Sequence, residues 1–243
     1  MNNPEKLFDA VIVGGGMVGA AAALGLAQQG LQVALIENEE PAGFDPSAPA
    51  DLRISAIGCA SARFLQKLGA WHAVEKMRSV PYRRLETWEV DGSEVKFDAQ
   101  SLGLPELGFM VENRVLQLAL WQQFDACPNL ARFCPAKLRH LLKHDDNTWS
   151  LQLTTGELLH TQLVIAADGA NSLVRQLAGI GVDGWQYRQN CMLINVETQT
   201  PDQDVTWQQF FPSGPRAFLP LFGHQASLVW YDLSLIHISE PTR

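Results

Sequence analysis

The sequence predicts an α/β fold in which a Rossmann-like nucleotide-binding part is interleaved with a second part built on a β-sheet. Three observations predict it. Residues 8–37 read as strand, glycine-rich turn, helix, strand and acid. A continuous apolar run, Leu163 to Ala167, ends on Asp168-Gly169. The last third of the chain breaks into short strands of alternating polarity.

The first strand, Phe8 to Val13, feeds directly into Gly14-x-Gly16-x-x-Gly19 and an alanine-rich helix. Gly14 allows the tight turn, Gly16 admits a pyrophosphate to the backbone, and Gly19 lets helix and strand pack closely. Unpaired N–H groups and a partial positive charge at the helix start suit phosphate. The second strand, Leu31 to Ile36, ends on Glu37. An acid placed ~20 residues beyond the glycines can accept hydrogen bonds from an adenosine ribose.

A loop rich in Pro, Ala and Asp follows (Pro41 to Asp51), then Leu52-Arg53-Ile54-Ser55 and a helix expected over Ala56 to Leu68. Arg83 to Phe97 alternates around Asp91-Gly92, a hairpin signal. Asn113 to Phe124 carries Leu116, Leu120 and Phe124 at helical spacing. Ala136 to Leu159 reads as a β-meander, and Leu163 to Ala167 as a buried strand returning to the main sheet. A short helix (Ser172 to Ala178) precedes strands expected at Cys191–Thr198, Val205–Phe211, Ala217–Leu221 and Ala226–Tyr231. The expected division is a nucleotide-binding part over 1–72 and 106–178. The substrate part takes the hairpin at 73–105 and a sheet at 179–233.

Composition narrows the partners. A net charge of −8 with no basic block argues against nucleic acid. No apolar run approaches the ~18 residues of a membrane span, and MNNPEKLFDA lacks the pattern of a secretory leader. Four cysteines without CxxC spacing read as reduced thiols of a cytoplasmic protein, with Cys191 expected in the core. His140 and His144 have zinc spacing only on a helix, and the region reads as strand, so no metal is expected. Asp145-Asp146 is expected to be a turn. Arg78, Arg83 and Arg84 read as a solvated hairpin edge rather than as contacts to phospholipid or nucleotide phosphate.

Alone, Asp168-Gly169 with Ser172 and Arg175 suits either a ligand contact at the carboxyl edge of the sheet or a helix cap beside a surface charge. Together with the glycine fingerprint, the motif resembles the flavoprotein aromatic hydroxylases. These are single-component monooxygenases with a glutathione-reductase-type FAD domain. The resemblance implies FAD as cofactor and NADH or NADPH as reductant. Gly14, Gly16, Gly19, Glu37, Asp168, Gly169, Ser172 and Arg175 match position by position, and Arg53 matches an arginine near the flavin. Where the family has Arg-x-x-Leu-x-x-x-Leu, this chain has Asn113-x-x-Leu116-x-x-x-Leu120, as in the ubiquinone-biosynthesis branch. DLRISAI, PYRRLETWE, FMVENRVLQ, AGIGVDGWQY, TWQQFFPSGPRAFLPLF and ASLVWYD are similar to that branch too.

The implied reaction uses O₂ to hydroxylate a polyprenylated benzoquinol, with no side-chain nucleophile. Phe210, Phe211, Phe218, Leu219, Leu221 and Trp230 on the late strands are candidates to line its pocket, with plain core as the alternative for residues at β spacing, and Pro220 is a candidate for the pocket wall near the flavin. Peripheral contact with the inner membrane, or with a ubiquinone-synthesis assembly, is compatible with such a substrate. Other FAD oxidoreductases on this scaffold and a non-catalytic nucleotide-binding fragment are the alternatives. The family's third motif, a Gly-Asp before a helix, would lie beyond residue 233. The closing SLIHISEPTR (234–243) resembles a translated adapter read. The chain is therefore expected to be a truncated and inactive piece of a longer enzyme.

Overall fold

The computed structural model describes residues 6–233; the tail at 234–243, whose origin was questioned above, lies outside the described residues. In chain order the first elements are β1 (Lys6–Val13), α1 (Met17–Gln28), β2 (Val33–Ile36), β3 (Ile54–Gly58), α2 (Cys59–Lys67) and α3 (Trp71–Met77). There follow β4 (Val80–Tyr82), β5 (Arg84–Trp88), β6 (Val95–Asp98), β7 (Gly108–Glu112), α4 (Asn113–Trp121) and β8 (Leu130–Phe133). The chain continues through β9 (Leu138–Lys143), β10 (Trp149–Leu153), β11 (Leu158–Ala166) and α5 (Leu173–Leu177). It closes with β12 (Asn190–Glu197), β13 (Val205–Phe211), β14 (Gly214–Pro220) and β15 (Gln225–Asp232).

Two compact units divide these elements. Among the described residues the first takes 6–44, 65–71 and 116–183; the second takes 45–64, 72–115 and 184–233. The first unit holds one six-stranded sheet in the order β8-β2-β1-β11-β10-β9. β1 is parallel to both β2 and β11, and β9 to β11 form the antiparallel meander. The apolar strand cores explain the burial: Val11, Ile12, Val33, Leu35 and Ile36 are enclosed on both faces of the sheet. α1 packs over β1, β2 and β8 through Ala20, Ala23, Leu24 and Ala27. It does not cover all of β11. Leu163, expected in a buried strand, is therefore 50% exposed although β11 does return to the centre of the sheet.

The second unit holds a three-stranded sheet, β3-β7-β4, and a six-stranded one, β12-β15-β14-β13-β5-β6. The expected hairpin is β5–β6, with Gly92 in the left-handed region at its turn. The helix expected from Ala56 begins only at Cys59, because Ile54-Ser55-Ala56-Ile57-Gly58 is β3 and pairs antiparallel with β7. This pairing groups Asp45–Phe64 with the second unit, where the sequence reading placed it in the nucleotide-binding part. Cys191, expected in the core, is exposed because β12 is an edge strand. Arg78, expected on a solvated edge, is instead largely enclosed, its side chain 10% exposed, in an ion pair with the buried Glu112. Arg84 is paired with Asp204, and Arg83 donates to the Pro105 carbonyl. Among the described residues, no helix is long and apolar enough to cross a membrane.

Candidate functional site

In the first unit, the end of β1 meets the start of α1 in the glycine turn. Gly14 has φ +102°, and a Cβ there would lie 2.3 Å from the Ala167 carbonyl oxygen. A side chain at that position is excluded twice, by conformation and by the strand beside it. A Cβ on Gly19 would fall 1.9 Å from the Gly14 carbonyl oxygen, which is how closely α1 sits on the turn. Gly16 differs: a Cβ there would meet nothing within 4 Å. It faces a cavity of about 630 Å³, the size class of small-molecule sites.

Glu37, at the end of β2, lines the same cavity. One carboxylate oxygen accepts from the Gly15 N–H, and the other from the Asn38 and Glu39 N–H groups at 2.7 and 3.3 Å. An ionised carboxylate accepts about four hydrogen bonds, so Glu37 both ties down the turn and retains capacity for a ribose hydroxyl.

Asp168 and Gly169 close the opposite rim. Asp168 accepts from the Ser172 hydroxyl at 2.6 Å and from the Leu173 and Val174 N–H groups at 2.7 and 3.1 Å. It therefore caps α5, while Ser172 accepts from the Arg175 N–H at 3.0 Å. The Arg175 guanidinium donates to the Ala170 carbonyl at 3.2 Å, holding the turn that carries Gly169.

Sequence reasoning missed the third wall, Ala136, Lys137 and Leu138, together with Asn38 and Asn171. The 136–138 segment reaches the cavity because β8 pairs with β2, so that Ala136 donates its N–H to the Glu37 carbonyl at 2.8 Å. Only the strand order could have revealed it. Nearby, burial pushes the Cys134 thiol up, and the negative charges of Glu37 and Glu40 push the same way, so it stays protonated.

In the second unit, the β3–β7 pairing brings Arg53 to Asn113. The Asn113 N–H donates to the Arg53 carbonyl at 2.9 Å, and its side-chain oxygen accepts from the Ser55 hydroxyl at 2.6 Å. The Arg53 side chain is exposed. The loop that leads to it is pinned from three directions. Arg78 donates to the Pro46 and Ala48 carbonyls at 3.1 Å each, and Glu112 accepts from the Asp51 N–H at 2.8 Å. The Asn195 amide donates to the Ala50 carbonyl at 2.9 Å.

The candidate pocket residues occupy both faces of the large sheet, because side chains alternate along a strand. On one face Trp207 stacks on Phe218, and the Arg216 guanidinium lies 4.0 Å from the Phe211 ring centre and 4.2 Å from that of Trp230. Pro220 is buried at the end of β14. Leu219 points the other way, onto the cluster of Ala50, Tyr82, Met110 and Leu221. Burial raises the Tyr82 phenol above its ordinary value, with Cys59 adding to the effect. His144 and His160 both bond to the Ser150 hydroxyl. Among the described residues, no group of three or more His, Cys, Asp or Glu side chains could hold a metal ion.

Residues 8–231 match the family described as FAD binding domain. The chain belongs to that family. This FAD-binding domain is 57% identical over 231 residues, 95% of its length, to the 3-demethoxyubiquinol 3-hydroxylase of Escherichia coli strain K12, of which it covers 58%. It is 35% identical to the ubiquinone hydroxylase UbiL of Rhodospirillum rubrum, covering 95% of this chain and 53% of that one. The chain thus spans little more than half the length of the curated relatives it matches. Among solved structures, Pseudomonas aeruginosa PqsL superposes with a TM-score of 0.77 at 21% identity, over 93% of this chain and 61% of that one. At that identity the likeness speaks for the fold.

FAD is the family's cofactor, and the site suits it. The open face of Gly16, the residue that precedes α1, and the remaining capacity of Glu37 border one cavity. That is the donor and acceptor set of a diphosphate joined to a ribose.

Proposed function

We propose that this FAD-binding domain serves an NAD(P)H- and O₂-dependent monooxygenase of ubiquinone biosynthesis. Its substrate is a polyprenylated benzoquinol of the 2-polyprenyl-3-methyl-6-methoxy-1,4-benzoquinol type. The observation that carries this reading is 57% identity to the E. coli hydroxylase along 95% of the chain. The nucleotide cavity supports it.

Bound FAD would supply the redox chemistry, taking electrons from NAD(P)H and activating O₂ for transfer of one oxygen atom to the electron-rich ring. The chain's own residues bind and orient. Gly14, Gly16 and Gly19 shape the diphosphate cradle, and Glu37 holds the ribose. Asp168, capped into place by Ser172, sets the Gly169 turn at the cavity rim, with Arg175 bracing it. Arg53, just before β3, and Asn113, at the start of α4, are candidates for flavin contact by their positions in the family's motifs alone.

For the prenylated ring, the Leu219 face of the large sheet is the better candidate. Leu219 and Phe222 lie partly buried there around an apolar cluster, whereas Arg216 already occupies the space between Phe211 and Trp230. A prenyl chain on the substrate supports a cytoplasmic protein in peripheral contact with the inner membrane.

The test is to supply the chain with FAD, NAD(P)H, ¹⁸O₂ and a short-prenyl benzoquinol, and to weigh the product. One ¹⁸O atom in the ring supports the monooxygenase. Quinol oxidation without label points to a dehydrogenase. Bound FAD without product assigns this chain the nucleotide-binding part of the task alone.

A further inference from the structure

The glycine turn is held from behind by two side chains that no motif identifies. The Gly15 carbonyl accepts from the Trp121 indole N–H and from the Gln117 side-chain amide, each at 2.8 Å. Gln117 and Trp121 are four residues apart on α4, hence on one helix face. The indole is 6% exposed, and a Cβ on Gly15 would lie 2.8 Å from its ring.

The two donors occupy both lone pairs of that carbonyl. The peptide joining Gly15 to Gly16 is planar and trans, so its N–H points opposite to its C=O. With the carbonyl drawn toward Trp121 and Gln117, the Gly16 N–H is aimed away from them, on the side where Gly16 borders the cavity. The preceding peptide is fixed in turn by the bond from the Gly15 N–H to Glu37. A flip of the Gly15–Gly16 peptide would exchange the donor for a carbonyl oxygen, which repels an anion.

We infer that Trp121 and Gln117 are positioning residues of the nucleotide site, which hold the Gly16 N–H toward a diphosphate by clamping the Gly15 carbonyl. This rests on the FAD reading. The clamp costs nothing at the moment of binding, because the donor already faces the ligand. Either side chain alone can hold the carbonyl, so the two are redundant. Their loss is expected to be non-additive.

The experiment compares Trp121→Phe, which keeps a ring and deletes the N–H, Gln117→Met, and the double variant in the 243-residue chain. Three quantities are measured: FAD affinity by flavin-fluorescence titration, melting of the cofactor-free chain, and exchange protection of the Gly15 amide. Each single variant is expected to weaken FAD binding about fivefold and the double variant about a hundredfold, the scale of lost hydrogen bonds to a site for a charged ligand.

An FAD affinity that falls only as the product of the two singles, or not at all while melting drops, overturns the clamp. Should the wild-type chain take up no FAD, the FAD reading fails by itself. The clamp is then decided by the Gly15 amide, whose protection must fall in the double variant and is unchanged if the inference is wrong. If that double variant does not fold, Trp121→Phe with Gln117→Glu, which keeps the length of the side chain and removes its donor, decides through the same amide.

Discussion

Two loops of this molecule are held still by opposite means. The glycine turn of the first unit is fixed through its own backbone groups: three closely packed glycines, the Gly15 N–H on the Glu37 carboxylate, and two neutral side-chain donors on the Gly15 carbonyl. The 45–53 loop of the second unit is fixed by a largely enclosed ion pair, Arg78 with Glu112 at 3.0 Å, whose remaining donors and acceptors reach Pro46, Ala48 and Asp51. The Arg78 guanidinium also lies 4.1 Å over the Phe222 ring. A turn that must present amides to an anion has each backbone group aimed by its own hydrogen bond. A loop that only delivers a residue to a strand can be anchored by full charges. The first design tolerates loss of one donor, whereas the second does not tolerate loss of one partner.

The sharpest way to break the contrast is within the glycines themselves. Gly19→Val would drive a side chain into the Gly14 carbonyl, and soluble, folded protein should be lost. Gly16→Val meets open space, so its melting should match the parent while flavin retention disappears. A Gly16→Val protein that still binds FAD would move the diphosphate elsewhere. Next in size is Glu112→Ala, which strands a largely enclosed guanidinium and should cost about 3–5 kcal/mol in urea unfolding. A loss under 1 kcal/mol would show that the 45–53 loop does not depend on the pair.

The smallest effect is a pH dependence. The folded chain raises the Tyr82 phenol above the ordinary 10.0, so the stability tied to its neutral form is complete below pH 10. It drains away as pH rises through the folded value. Tyr82→Phe should flatten the alkaline fall in melting temperature. An identical slope in both proteins would remove Tyr82 from the account.

Much of the first unit could be read from the chain because its determinants are adjacent in sequence. Residues 8–37 contain strand, turn, helix, strand and acid, and each piece is explained by its neighbours. The late strands were equally readable from alternation: Val205–Phe211 is β13 residue for residue. What escaped reading is non-local. Nothing near Ile54 announces that it pairs with Glu112, so the last three residues of β3, Ala56 to Gly58, read as the start of a helix. Lys137 reaches the cavity through strand order, and Asn195 reaches Ala50 across 145 positions. The split of Leu219 from Phe218 follows from the pleat. Which side carries substrate does not follow from residue type, since aromatic side chains serve core and pocket equally well.

The pairing of β1 has a consequence for how the chain comes to exist. Its partner β2 is at hand as soon as residue 36 has been made, but its other partner begins opposite Lys6 only at Leu159. In the second unit the β5–β6 hairpin likewise waits for β13, which starts at Val205. A ribosome emitting this polypeptide from its N-terminus leaves one flank of β1 unsatisfied through most of translation. Neither sheet can be sealed before the other has been begun. Long-range parallel closure of this kind is slow and leaves bare strand edges in the meantime. The nascent chain, more than the finished one, is therefore where this protein is most in need of a chaperone.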